Sequence, residues 1–248
     1  MKIIISPAKK MISDFDTMDV QDAPVFLDRA DVLRRYLKAL PYEELKRLLA
    51  CNDAIAQLNY ERYQHLNLRT QTSPAILSYD GIQYTYMAPQ VFEDCYFTYI
   101  QKHLRIISGF YGILKPFDGI VPYRLEMQAK LKTPFCKNLY DFWGDSIYRE
   151  LARDTRVILN LASREYSKTV EKYLSPSIRY ITCTFGEWSD GKVVEKGVYV
   201  KMARGELVRY MAEHQIEDAE QVKAFDRLGY RYTDALSSGT QFVFIKGA

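Results

Sequence analysis

Short apolar runs alternate with longer stretches in which leucines recur at helical spacing, and this alternation organises the whole chain. Ile3–Ile5 reads as a buried strand closed by Ser6-Pro7. Residues 30–50 carry Leu33, Leu37, Leu40, Leu45, Leu48 and Leu49, a helical pattern that Pro41 divides in two. A further helix is predicted over 52–64. Asp80-Gly81 reads as a hairpin turn between strands at Ile76–Tyr79 and Gln83–Tyr86. Residues 90–103 read as helix and Ile106-Ile107 as a buried strand ending at Ser108-Gly109. Leu139, Phe142, Trp143, Ile147 and Leu151 mark helix over 139–152. Val157–Leu161 is a second buried strand, after which Ser163 stands where a helix N-cap belongs, with helix over 164–174. Residues 179–188 and 193–202 are predicted as strands around a Ser189-Asp190-Gly191 turn, followed by helix over 203–215 and a terminal strand pair at 228–233 and 241–246.

Hairpins mixed with strand–loop–helix units imply a mixed α/β (α+β-like) fold rather than a regular doubly wound sheet. No repeat, low-complexity tract or Gly/Ser/Pro-rich linker divides the 248 residues. One domain over 1–248 is the expectation, with two lobes, 1–100 and 101–248, as the alternative.

Composition adds little until charge is placed along the chain. The net charge is only +3. Residues 102–137 nevertheless carry seven cations against Asp118 and Glu126, a local balance of +5, while residues 11–31 carry six aspartates against Arg29, a balance of −5. An acidic and a basic face, or a scatter over solvated surfaces, both satisfy this pattern. Cys51, Cys95, Cys136 and Cys183 form no CxxC, and with only three separated histidines no metal-site or cofactor signature is present. The opening MKIIISPAKK has too short an apolar run for a secretory leader, and no stretch approaches the ~20 apolar residues of a membrane helix. The expected location is therefore the cytoplasm, without a membrane partner.

Three junctions collect the chemistry: Ser6-Pro7-Ala8-Lys9-Lys10, Asn160 through Lys168, and Tyr199 through Glu206. Each is read as following an apolar strand, and rigid strand ends are where functional groups gather. The second and third open helices, whose free N–H groups favour anions. Lys9, Lys10, Lys168, Lys201 and Arg204, with Arg209 on the following helix, are candidate phosphate-binding cations. Ordinary capping and surface charge is the alternative at each junction taken singly. Ser163, Glu165 and Lys201 are candidate catalytic groups; Glu165 near a helix start serves as a base or ribose-hydroxyl acceptor, or simply offsets the helix dipole. No Ser–His–Asp set, Walker A loop or dinucleotide fingerprint occurs. In Ile107–Met127, Gly109, Gly112 and Gly119 accompany Lys115 and Arg124 around a Pro116–Gly119 turn. Such a turn between two short helical pieces would present N–H groups to a DNA phosphate, as helix–hairpin–helix elements do, or else is a turn packed by Phe110, Tyr111 and Phe117.

Laid in order, these blocks resemble the YaaA family over essentially the full length. The resemblance rests on Ser6-Pro7-Ala8-Lys9, Leu58-Asn59 with Arg62-Tyr63, Ser108–Gly112 continuing through Pro122–Met127, Phe142-Trp143-Gly144, Asn160–Tyr166, Phe185–Trp188 and Lys201–Gly205. It implies a cytosolic protein of the peroxide-stress response that helps limit reactive iron and oxidative DNA damage. It also implies DNA binding, duplex or branched, through a positively charged cleft and a helix–hairpin–helix-like element, mapped here onto Gly109–Met127. An enzyme acting on a nucleotide or other phosphorylated small molecule in the same cleft is the alternative.

Overall fold

The computed structural model describes residues 1–14, 16–189 and 191–247. Its main sheet has eight strands among these residues: β1 (Lys2–Ile5), β2 (Leu104–Ser108), β3 (Gly112–Leu114), β4 (Val157–Leu161), β5 (Arg179–Ser189), β6 (Lys192–Val194), β7 (Tyr230–Tyr232) and β8 (Gln241–Lys246). The order is β7-β8-β5-β4-β1-β2-β3, with β6 on β5. The five central strands, from β8 to β2, run parallel, and antiparallel β7, β3 and β6 finish the margins. Every residue of β1 is buried, as a strand covered on both faces requires, which explains the unbroken Ile3-Ile4-Ile5 run. Strand β1 lies between β2 and β4, so the amino-terminal segment supplies the middle of a sheet otherwise built from later residues. The two-lobe alternative fails on this point, and the chain folds as a single compact α/β domain with a mixed sheet and flanking helices.

The helices are α1 (Leu27–Ala39), α2 (Tyr42–Leu49), α3 (Asp53–His65), α4 (Ala75–Ser78), α5 (Ile82–Met87), α6 (Asp94–His103), α7 (Leu139–Trp143), α8 (Ser146–Ala152), α9 (Arg164–Glu171) and α10 (Gly197–Glu213). Pro41 stands at the N-cap of α2 and separates it from α1, as its missing N–H dictates. The strands predicted at 3–5, 106–107, 157–161 and 241–246 are all present. None of the helices is long and apolar enough to cross a membrane among the described residues.

Three local expectations are corrected. The segment read as a hairpin around Asp80-Gly81 forms α4, a two-residue strand and α5, with Gly81 extended at the α5 N-cap. The strand predicted over 193–202 ends at Val194, and α10 begins at Gly197. Its β-branched residues misled the reading, whereas burial of Val200, Ala203, Leu207, Val208 and Met211 at helical spacing decided the conformation. The turn read at Ser189-Asp190-Gly191 includes Asp190, which lies outside the described residues.

The third correction concerns Gly109–Met127, which contains no helix. It forms β3, a turn, a short strand at Gly119–Ile120 and an extended run. A side chain at Gly109 would put its Cβ 2.4 Å from the carbonyl oxygen of Leu125, so the extended run packs directly onto Gly109. Trp143 Nε1 donates to the Gly109 carbonyl at 2.9 Å, and Tyr123 is bonded to both Tyr79 (2.8 Å) and Ser108 (2.6 Å). A buried tyrosine cluster thus fixes this stretch in place of the expected helical pieces.

Candidate functional site

The parallel pair β1 and β4 is in register at Ile5 and Leu161, so the chain leaves both strands at the same edge of the sheet. That edge is where a strand-to-helix crossover exposes polar groups. The Oγ of Ser6 accepts from the backbone N–H of Ser163 at 2.8 Å, and its hydroxyl lies 3.3 Å from the Ser163 Oγ. Ser163 occupies the N-cap of α9 and, among the described residues, makes no side-chain cap bond; its Oγ instead faces the Ser6 hydroxyl. Below them the Asn160 side chain, buried, accepts from the Ala162 N–H at 2.9 Å and shapes the turn into α9.

These junctions and two helices enclose a cavity of about 400 Å³. Ser6, Lys9 and Lys10 come from the end of β1, Ser163, Glu165 and Tyr166 from the start of α9, and Lys201 and Arg204 from one face of α10. Asp80 and the start of α5, with Gln83 and Tyr84, complete the wall. Among the described residues the lining holds four cations, Lys9, Lys10, Lys201 and Arg204, against two carboxylates, Asp80 and Glu165. Lys10 is paired with Asp80. Lys9 reaches Glu126 at 3.2 Å, and Arg124 reaches the same carboxylate oxygen at 3.0 Å. Arg204 is partly buried, and burial pulls its guanidinium below the ordinary arginine value. Its Nε is shielded from solvent and has no hydrogen-bond partner among the described residues. A desolvated guanidinium donor without an acceptor is a fixed positive feature of the wall.

Glu165 is half-buried. One of its oxygens accepts from the Gln128 N–H at 3.1 Å, and Tyr140 donates its hydroxyl to the Glu165 carbonyl at 2.9 Å. Burial raises its carboxyl above the usual range; the neighbouring Glu126 adds to the rise, and the Gln128 N–H and Lys9 oppose it. A carboxyl held so is readily protonated beside an anion and is available as an acceptor or proton carrier.

The candidate residues therefore separate. Lys9, Lys10, Ser163, Glu165, Lys201 and Arg204 converge on one cavity. Lys115 does not: it pairs with Asp22 of the acidic amino-terminal stretch at 3.0 Å and lines a different depression with Lys2, Lys102 and Arg105. Arg124 borders the site only through Glu126. Lys168 is exposed beside Lys172 and Tyr173 in a third depression, and Arg209 is engaged by Glu213 at 2.7 Å further along α10. The +5 segment is thus not one surface. Lys201 and Arg204 lie in the second turn of α10 rather than at a strand end, so the third junction contributes a helix face instead of helix-terminal N–H groups. Gln83, Tyr84 and Asp80 were missed because reading 76–86 as a hairpin gave them the wrong periodicity. Gly205 was the available signal: a Cβ there would lie 2.1 Å from the Gln83 carbonyl oxygen, so α5 must approach α10 at that point.

The fold and this cavity define an α/β protein with a mixed-charge, partly apolar pocket at the carboxyl edge of its parallel strands. The family described as peroxide stress protein YaaA matches residues 1–236. A UPF0246 protein of Desulfitobacterium hafniense strain Y51 is 68% identical over 246 residues, covering 99% of this chain and 98% of its own. UPF0246 proteins of Lachnoclostridium phytofermentans (55% identical, 100% of this chain and 97% of the relative) and Agathobacter rectalis (51%, 98% of each) are similar over the same extent. The chain belongs to the YaaA peroxide stress protein family.

Proposed function

We propose that this member of the peroxide-stress family acts in the cytoplasm as a DNA-binding protein, seating a backbone phosphate in the cavity against Lys9, Lys10, Lys201 and Arg204. The observation that carries this reading is the convergence of those four cations, from two distant segments, on one concave site that includes the Arg204 Nε, unpartnered among the described residues. Contacts of this kind position a nucleic acid without reading its sequence. Lys201 and Lys9 are exposed and adapt to the phosphate, while Arg204 supplies a preset charge. Through this binding the protein helps limit oxidative DNA damage, and its effect on reactive iron is indirect. Titration of duplex and branched DNA at low and moderate salt tests the reading. Binding that weakens steeply with added salt is expected, because phosphate contacts release counterions. Absence of binding to any DNA form at low salt removes the reading, and tight stoichiometric iron binding removes the indirect route.

A second reading is favoured by Glu165 and the Ser6–Ser163 hydroxyl pair, which sequence-independent phosphate binding does not require. In it the same cavity processes a nucleotide or another phosphorylated small molecule, with Glu165 moving the proton. Thermal-shift measurements against a nucleotide panel test it, since a ligand at 100 times its dissociation constant adds ~2.7 kcal/mol of stability.

A further inference from the structure

The cations account for only part of the cavity. Tyr84 and Tyr166, both buried, contribute to its lining together with Ile82 and Gln83. Tyr84 donates its hydroxyl to the Ser6 carbonyl at 3.0 Å, so its ring is held against the end of β1. Gln83 is 7% exposed, and its Nε2 is shielded from solvent and meets no acceptor among the described residues. The backbone that carries it is fixed, because the Gln83 carbonyl sits against Gly205 of α10. A buried amide donor without an acceptor is costly unless a ligand completes it. A phosphate needs neither tyrosine rings nor an amide. A nucleobase uses both: its flat apolar rim packs against the accessible edges of the two tyrosines, and the amide of Gln, donor and acceptor on one plane, matches the N6/N7 edge of adenine. The volume, about 400 Å³, falls in the range of small-ligand sites, about 300–1,000 Å³, and is too confined for a groove of duplex DNA.

We infer that the cavity admits a single unpaired nucleotide, its base beside Tyr84 and Tyr166 with the Gln83 amide at its edge and its phosphate on Lys201 and Arg204. This deepens the proposed DNA-binding reading and rests on it for the phosphate side of the site. The nucleotide comes from one of two sources with the same chemistry, a residue extruded from DNA or a free mononucleotide. Extrusion costs least where the base is already unpaired, so a duplex with an extrahelical adenine is the preferred DNA form. Glu165 lies within the same lining as an acceptor for a sugar hydroxyl.

The test compares a blunt duplex, the same duplex with one extrahelical adenine, the same duplex with an extrahelical abasic residue, and dAMP. The extrahelical adenine duplex is expected to bind about tenfold more tightly than the abasic one, the discrimination a packed and hydrogen-bonded base supplies. Gln83→Leu, which keeps the side-chain volume, is expected to bring the two together, with folding checked by circular dichroism. Exposed Lys201→Ala is expected to weaken all DNA forms. Equal, salt-sensitive affinities for all three duplexes overturn the nucleotide pocket and leave DNA binding standing. No DNA binding, with thermal stabilisation by dAMP that Gln83→Leu abolishes, supports the pocket with a free nucleotide and removes the DNA reading. Neither DNA binding nor stabilisation by dAMP overturns both.

Discussion

Ser6 and Ser163, 157 residues apart in sequence, are joined where β1 and β4 end, the Ser163 N–H donating to the Ser6 Oγ at 2.8 Å. This bond ties the segment that leads to Lys9 to the first turn of α9, two parts of the cavity wall. Ser6→Ala leaves a partly buried N–H without its acceptor. A loss of about 1 kcal/mol in unfolding free energy is expected, together with weaker ligand binding. Urea denaturation and a binding titration on the same variant check both, and unchanged binding would show that the bond braces the fold without shaping the site.

The separation of the cations predicts unequal substitutions. Lys201→Ala removes an exposed charge that lines the cavity, and is expected to weaken duplex binding and to lower the dependence of log K on log salt by about one phosphate contact. Lys115→Ala removes a charge already tied to Asp22 in another depression, and is expected to change affinity less than about twofold. A larger loss at Lys115 than at Lys201 would move the interface off the cavity.

How far these assignments were legible in the sequence depends on what fixes each element. Ile3–Ile5 and Val157–Leu161 announced themselves because a strand buried on both faces must be apolar throughout, and the polar residues immediately after them then marked part of the candidate cavity. Ser6, Lys9, Ser163 and Glu165 were readable for that reason. Gln83 and Tyr84 were not, because Asp80-Gly81 carries the local signature of a hairpin, and only the fit of α5 against Gly205 makes the segment helical. The same holds for Gly109–Met127, where hydrogen bonds among distant tyrosines, rather than any local pattern, keep the chain extended. The pairing of Lys115 with Asp22 joins residues 93 positions apart, which no charge count along the chain can show.

Glu165 gives the site a pH dependence of defined sign. Its carboxyl is raised by burial and by Glu126, so its proton is retained to higher pH than in an ordinary glutamate. The ionised form repels a bound phosphodiester and the neutral form does not. Duplex affinity is therefore expected to rise as pH falls through the raised value, while Glu165→Gln, neutral throughout, flattens this part of the profile. Fluorescence anisotropy across mildly acidic to neutral pH checks the difference between the two proteins, and parallel profiles would take Glu165 out of contact with the ligand.

Gly205 separates intrinsic helix propensity from packing. In an exposed helix interior, Gly→Ala stabilises by roughly 0.5–1 kcal/mol. Here the added Cβ would lie 2.1 Å from the Gln83 carbonyl oxygen and 3.0 Å from the Met87 nitrogen, and backbone cannot rotate away as a side chain can. Gly205→Ala is expected to destabilise by roughly 1–3 kcal/mol and to displace α5, weakening ligand binding as well. Thermal unfolding decides it, and a rise in stability would show that α5 does not sit tightly on α10.

Asp118 makes the clearest prediction about stability and pH. It is 2% exposed, one carboxylate oxygen accepts from the Lys115 N–H at 2.9 Å, and the other has no partner among the described residues. Burial raises its carboxyl from 3.8 to about 6; the Lys115 N–H and ammonium and Arg105 oppose the rise, and Asp22 adds to it. Below pH 3.8 the group is protonated in both folded and unfolded chains. Between 3.8 and about 6 the unfolded chain releases the proton and the folded chain keeps it, so stability falls as pH rises. Above about 6 both are ionised, and the folded chain carries a buried charge whose penalty reaches up to roughly 3 kcal/mol. Asp118→Asn keeps an acceptor for the Lys115 N–H and never ionises. Its stability relative to the unsubstituted protein is expected to increase steadily through that window and then level off. Urea denaturation of both proteins across the window isolates the effect, because every other titrating group is common to the two. A difference independent of pH would mean that Asp118 is already ionised at no cost, solvated through an opening of the Lys115–Gly119 turn.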